Sequence, residues 1–296
     1  LTSLFQWAVR QSAETENYMT STERIDEYSR LSAEEDFHQG NIKPPLNWPS
    51  QGQIEFQNYK LRYRPELPPV LKGINLTITP TNKIGIIGRT GAGKSSIFQA
   101  LFRLTDRSTT EGRILIDNVD IHDISLSDLR SILNIIPQSP VLFSNSLRYN
   151  LDPFRQYTDE QLWNVLEDVQ LKAKIEQLDD RSNIQIAEYG SNFSVGECQL
   201  ICIARAILKQ SKILLIDEAT AHVDTKTDQL IQKIFREKFV NQTIITIAHR
   251  LNTIMDSDQI IVMDKGIISQ IGTPFDILQQ EKQLLSNIND ENELIL

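Results

Sequence analysis

The sequence predicts an α/β protein: a core sheet of buried strands alternating with helices, an antiparallel β lobe, and an α-helical subdomain at about 140–210. Three observations predict this. Short, continuous apolar runs at Ile84 to Ile87, Ile213 to Ile216 and Thr243 to Ala248 suit strands buried on both faces. The first run breaks into Gly88-Arg89-Thr90-Gly91-Ala92-Gly93-Lys94-Ser95, a G-x-x-x-x-G-K-[ST] loop. The chain then continues as a helix, with Ile97, Ala100, Leu101 and Leu104 at helical spacing.

The bulk properties bound the answer. A chain of 296 residues holds one large domain or two small ones. Hydrophobic content of 40% and charged content of 23% are ordinary for a globular protein. The net charge of −9 makes the chain a poor general binder of nucleic acid. No apolar stretch approaches the ~20 residues that span a bilayer. The chain has no initiator Met and no signal-peptide pattern, and opening on Leu1 suggests an excised fragment. Cys198 and Cys202, with no His or further Cys beside them, read as two reduced thiols rather than metal ligands.

Residues 1–39 contain neither Gly nor Pro before Gly40, and the stretch reads as helix. It is a solvated helix, a disordered lead-in, or the cytosolic end of a longer membrane helix whose upstream part is missing. Residues 40–52 carry Pro44, Pro45 and Pro49 and read as a semi-rigid linker. The folded domain is expected over 53–296. It begins with strands at Ile54 to Phe56, Leu61 to Tyr63 and Val70 to Ile78, an antiparallel meander. Tyr63 is a strand aromatic packed on its neighbours or a ring that stacks on a nucleotide base.

After the loop helix come a strand at Gly112 to Ile116, a turn at Asp117-Asn118, a helix from Ser125 and a strand at Ile132 to Ile136. Gln138 follows, either a loop amide or a weak ligand for metal or water. The stretch 146–210 is mostly helical, with Thr158 opening one helix and Ser194 starting another, either as its N-cap or, with Gly196, as a second anion site. The run Ile213 to Ile216 ends in Asp217-Glu218, two carboxylates at the end of an apolar strand, beside the loop where open α/β sheets bind ligands. The Thr243 to Ala248 run ends in His249, structural or a phosphate contact. A hairpin spans Gln259 to Ile271, Thr273-Pro274-Phe275-Asp276 opens a last helix, and an acidic tail spans Asp290 to Glu293.

The loop residues have physical tasks. Glycines at 88, 91 and 93 let the backbone approach an anion closely, and the loop N–H groups converge on it at the positive end of the helix. Lys94 reaches the β- and γ-phosphates, and the Ser95 hydroxyl holds Mg²⁺. Asp217 holds Mg²⁺ through water, and Glu218 accepts a proton from an attacking water.

Taken in order, the phosphate loop, Gln138, Ser194-Val195-Gly196-Glu197, Asp217-Glu218, Asp224 and His249 resemble the nucleotide-binding domain of an ATP-binding cassette (ABC) transporter, over about 53–290. The phrases FSNSLRYNLDPF, SNFSVG and TIAHRLNTI look like the second nucleotide-binding domain of the C subfamily, the multidrug-resistance-associated proteins. The resemblance implies a P-loop NTPase core with ATP and Mg²⁺ as cofactors. Tyr63 would stack on adenine. Gly88, Arg89, Thr90, Gly91, Ala92, Gly93, Lys94, Ser95 and Ser96 would bind the phosphates, with Ser95, Gln138 and Asp217 around the metal. Glu218 would be the general base and His249 would contact the γ-phosphate. Ser194 and Gly196 would face a nucleotide held by a second nucleotide-binding domain, the first one of the same full-length transporter, with Asp224 at that interface. Transmembrane domains are the other partners, which places the domain at the cytoplasmic face of a membrane. The implied activity is ATP hydrolysis coupled to export of amphipathic or anionic solutes. The rivals are an ATP-gated channel module of the same subfamily and a soluble ABC ATPase acting on nucleic acid or ribosomes. The acidic charge and the lack of a coiled-coil insertion or second cassette argue against the last.

Two residues depart from the family's pattern. Glu197 stands where the signature L-S-G-G-Q has Gln, and His222 where small or amide residues are common. A carboxylate ~6 Å from a triphosphate, at an effective dielectric of ~20, repels it by about 3 kcal/mol before screening. The sequence therefore predicts that the site completed by this signature holds ATP weakly or turns it over poorly.

Overall fold

The computed structural model describes residues 2–31, 34, 40–177, 184–219, 223–248 and 254–279. The chain divides into two units, 1–37 and 38–296. The first is a single helix, α1 (Thr2–Ser29), with no buried residue. Its stability is local: hydroxyls such as Thr15 Oγ1 return to carbonyls one turn back, and Asp26 pairs with Arg30 at i,i+4. Among the described residues no helix is long and apolar enough to cross a membrane.

The second unit carries two sheets. In chain order its elements are β1 (Ile54–Leu61), β2 (Leu71–Ile78), β3 (Lys83–Gly88), α2 (Lys94–Leu101), β4 (Thr110–Ile116), β5 (Val119–Asp120), α3 (Leu126–Ile132), β6 (Leu133–Ile136), α4 (Leu147–Leu151), α5 (Asp159–Asp168), α6 (Lys172–Glu176), α7 (Val195–Lys209), β7 (Ile213–Asp217), α8 (Thr225–Lys238), β8 (Thr243–Ile247), β9 (Gln259–Asp264) and β10 (Ile267–Gly272). The β lobe is antiparallel in the order β2-β1-β4-β5. The core sheet runs β10-β9-β3-β8-β7-β6, parallel from β9 through β6, with β10 antiparallel at the edge.

The apolar runs are continuous because the core sheet separates two cores. On β7, Ile213 and Leu215 enter the core shared with the β lobe and α2, while Leu214 and Ile216 enter the core shared with α5, α7 and α8. Successive side chains of a strand point to opposite faces, so each face needs its own apolar residues. Each such side chain, fully removed from water, contributes roughly 1.5–3 kcal/mol.

Three local features differ from the sequence expectations. The strands expected at Ile54 to Phe56 and Leu61 to Tyr63 are one strand, β1, interrupted by a register shift between Phe56 and Tyr59, and Tyr63 lies beyond its end. The bulge inserts an unpaired residue, which breaks the alternation that marks a strand. Within the stretch expected as a linker, the Trp48 Nε1–H donates to the Ile116 carbonyl at 2.8 Å. The Asp117 carboxylate accepts the backbone N–H groups of Gln51, Gly52 and Gln53 at 2.8 to 3.2 Å. The stretch is thus fastened along the β lobe.

The lobe meets the core sheet at the β9–β10 turn. Gly266 N–H donates to the Ala92 carbonyl and its own carbonyl accepts from Lys72 N–H. Gly266 has φ +86° and its Cα sits so close to Val70 that a Cβ would lie 2.0 Å from the Val70 oxygen. Only glycine permits that approach, and the contact seats the loop after β3 between the two sheets.

Candidate functional site

Parallel pairing brings the C-terminal ends of β3, β8 and β7 to one edge: Ile86 lies opposite Ile247, and Ile247 opposite Asp217. The loop after β3, the residues after β7 and the residues after β6 therefore open on the same side, the usual ligand side of an open α/β sheet.

The loop 88–95 turns into α2 through Gly93, which has φ +100° and supplies no side-chain cap. The first N–H groups of α2 are thus not taken by a capping side chain and can meet an anion. Lys94 is buried and donates from Nζ to the carbonyls of Gly88 at 2.7 Å and Arg89 at 3.2 Å. Burial lowers its pKa, partly opposed by the charges of Glu218 and Asp217. A cation kept in place by carbonyls, at the cost of some desolvation, is poised for an anionic ligand.

A cavity of about 630 Å³ opens over this loop, lined by Tyr63, Val70, Thr90, Gly91, Gly93, Lys94, Ser95, Ser96 and Glu218. Tyr63 is 46% exposed, and its hydroxyl hydrogen-bonds the Ser96 hydroxyl at 2.8 Å. The bond fixes the ring at the cavity wall and leaves ring surface for a planar partner. Glu218 sits just past β7 in the left-handed region, with φ 44°, its N–H donating to the Ile247 carbonyl. For a residue with a side chain that conformation costs roughly 1–2 kcal/mol, and it aims the carboxylate into the cavity. The Gln138 Nε2 donates to Glu218 Oε2 at 2.8 Å across the cleft.

The donor set tests the fit of a divalent cation. The Ser95 hydroxyl, the Asp217 carboxylate and the Gln138 carbonyl are all hard oxygen donors, as Mg²⁺ requires. Gln138 meets Glu218 through its nitrogen, so its oxygen stays chemically suited to a cation. The cavity and the cradle likewise fit a nucleoside triphosphate.

The structure thus brings together the phosphate loop, Tyr63, Gln138, Asp217 and Glu218. It does not bring Ser194 and Gly196 into this cavity. Ser194 caps α7, and Gly196 packs on the start of α8, where a Cβ would stand 3.2 Å from Thr227 Cγ2. Asp224 caps α8 through the N–H and hydroxyl of Thr227. His249 and His222 lie outside the described residues.

Three contributors escaped the sequence reading. Val70 lines the cavity from the loop before β2. Gln199, fully buried on α7, donates to the Pro137 carbonyl at 3.1 Å, next to Gln138. Lys174 on α6 pairs with Glu197 at 2.6 Å. The last corrects the charge argument above, because the Glu197 carboxylate is not bare. Burial raises its pKa, but the Lys174 bond and the Ser194 backbone and hydroxyl bonds outweigh this and hold it below the ordinary glutamate range. Only Gln199 left a trace in sequence, as an amide among the apolar positions of a buried helix.

Residues 71–221 match the family model described as "ABC transporter". The human "ATP-binding cassette sub-family C member 4" is 52% identical over 284 residues, covering 96% of this chain and 21% of the relative. The Saccharomyces cerevisiae "Metal resistance protein YCF1" is 49% identical over 296 residues, covering 100% of the chain and 19% of the relative. The chain therefore spans about a fifth of the length of these curated relatives. Among solved structures, "Structure of a bacterial Atm1-family ABC exporter with ATP bound" superposes with a TM-score of 0.78 at 31% identity, covering 90% of this chain and 46% of that one. A phosphate loop, a paired-carboxylate strand end and a cavity between them, on a chain so matched, lead to one assignment: the chain belongs to the ABC transporter family, as an ATP-binding ATPase domain.

Proposed function

We propose that this chain supplies the hydrolytically competent ATP site of an ABC exporter and, through closure on a second nucleotide-binding domain, drives transport of amphipathic or anionic solutes. The observation that carries the reading is Glu218, a carboxylate held at the end of β7 in the wall of the cavity that holds Lys94 and Ser95.

In this reading the Tyr63 ring stacks on adenine, and the loop N–H groups from Gly88 to Ser96 with the Lys94 ammonium bind the phosphates. Leaving the Gly88 and Arg89 carbonyls for phosphate oxygens gives Lys94 a charged partner in a desolvated place. Ser95, Gln138 and, through water, Asp217 hold Mg²⁺, which supplies neutralisation of the charge on the phosphate oxygens. Glu218 orients the attacking water and accepts its proton, once its carboxylate is released by Gln138. His249 contacts the γ-phosphate. Ser194 and Gly196, on a different face, complete the site of the second domain, which is the first nucleotide-binding domain of the same full-length protein. Transmembrane domains complete the transporter and place this domain at the cytoplasmic face of a membrane, with residues 1–39 continuing from them, 40–52 joining and 53–296 forming the cassette.

The test is Mg·ATP hydrolysis by the purified chain beside Glu218→Gln, over a range of protein concentrations. The expected result is hydrolysis that rises faster than linearly with concentration and a variant that binds ATP while turnover falls by about 10²–10³-fold. Loss of ATP binding in Glu218→Gln would overturn the role of general base.

A further inference from the structure

The Glu197 carboxylate makes two sets of contacts. Its Oε2 accepts the Ser194 backbone N–H at 2.9 Å, while its own N–H donates to the Ser194 hydroxyl at 3.3 Å, a reciprocal capping box at the start of α7. Its Oε1 accepts from Lys174 Nζ at 2.6 Å. Lys174 comes from α6, and its ammonium also lies 5.4 Å from the centroid of the Phe193 ring, the residue before Ser194. Phe193 itself is buried, at 8% exposure. A glutamine at 197 can make the same box, since either side chain accepts a hydrogen bond from the cap. The box therefore does not require the charge. What the charge adds is the bond to Lys174.

We propose that Lys174 is a positioning residue for the Ser194–Gly196 segment: it neutralises Glu197 and, gripping Glu197 and Phe193 together, fixes the angle at which Ser194 is presented to the partner domain's nucleotide. The inference rests on the partner-facing reading given above. It replaces the expectation of a weakened site with a different one. Glu197 and Lys174 form a compensated pair in place of a neutral amide, so neither change alone is neutral and the two together nearly are. Lys174 acts through Glu197 and touches no reacting atom.

The experiment is carried out on the full-length protein that contains this chain, with 8-azido-ATP photolabelling of the opposite nucleotide-binding domain as the probe, alongside KM and kcat for ATP. Lys174→Met exposes the carboxylate, and half-saturation should rise by about fivefold, with kcat moving less. Added salt should lower that half-saturation in the variant, because it screens a repulsion. Glu197→Gln should shift half-saturation the other way, by about twofold, because it leaves an uncompensated ammonium. The double variant should return to within about twofold of the unaltered protein, and Lys174→Arg should resemble it. Lys174→Met losing affinity equally at all salt concentrations, or the double variant keeping the full fivefold rise of Lys174→Met, would overturn the proposal even if both variants fold. Gly196→Asp is the control. If it abolishes labelling while Glu197→Gln fails to rescue Lys174→Met, the positioning role alone falls. If it leaves labelling intact, the partner-facing reading falls and takes the positioning role with it.

Discussion

The chain has two helix starts that the sequence nominates for anions, and they are built in opposite ways. At α2 the cap is Gly93, with φ +100° and no side chain, so the first N–H groups are left for whatever enters the cavity. At α7 the cap is Ser194, and Ser194 and Glu197 satisfy each other's backbone N–H groups. The first start is incomplete by itself and carries a buried lysine bonded to the Gly88 and Arg89 carbonyls. The second is complete by itself, and its charge is already balanced by Lys174. A helix N-terminus dressed with its own caps is stable without a ligand, whereas an undressed one is left with donors for an anion. The two starts therefore differ in what they ask of ATP.

That contrast can be broken most sharply at Lys94. Lys94→Met should lower ATP affinity by about tenfold or more, the loss of a charge-assisted bond in a desolvated place. In the absence of nucleotide it should leave the melting temperature unchanged or higher. The sign follows from the pKa. Burial lowers it, so the folded chain binds that proton less readily than the unfolded one, and a protonated Lys94 costs stability at neutral pH. The cost fades as pH rises through the lowered value, and the methionine variant should lack this alkaline gain. Equilibrium ATP binding and thermal melts between neutral and alkaline pH would show both effects. A melting temperature that drops with affinity would mean that Lys94 is part of the packing.

Ser194→Ala should do the reverse. Loss of the cap costs about 1 kcal/mol, a shift of roughly 2–4 °C for a domain of this size, with no change in the chain's own ATP affinity at the α2 cavity. A thermal melt with an ATP titration of the isolated chain separates these, and a loss of affinity would erase the contrast between the two starts.

The smallest effect is in acid. The carboxyl of Glu197 is held below the ordinary range, so it contributes stability above that range and loses it as pH falls through its folded value. Glu197→Gln should flatten this part of the acid unfolding curve, by a few tenths of a kcal/mol, because the pair is partly exposed. An identical acid limb in the variant would show that the Lys174 bond carries no net stability.

Much of the site was legible because it is written locally. The phosphate loop is one contiguous stretch, and its glycines and lysine announce themselves by spacing. The run Ile213 to Asp217 shows a strand buried on both faces, and Glu218, just past its end, lines the cavity over the loop. Thr158 and Ser194 were legible as caps because the box closes over three residues. The sequence leaves Tyr63 between packing and ligand, and the structure puts it at the cavity wall with its hydroxyl on Ser96, 33 positions away.

The sequence by itself determined the α/β class, the strand-loop-helix that makes the phosphate cradle, and the caps, because these depend on residues within a turn of one another and on side-chain periodicity. Only the tertiary structure decided the pairs that make the site specific. Gln138 meets Glu218 across 80 positions, Gln199 reaches Pro137 across 62, and Lys174 finds Glu197 across 23. Those contacts depend on strand order, on register and on how α6 and α7 pack. The same packing turned Glu197 from an expected repulsion into one half of a neutral pair.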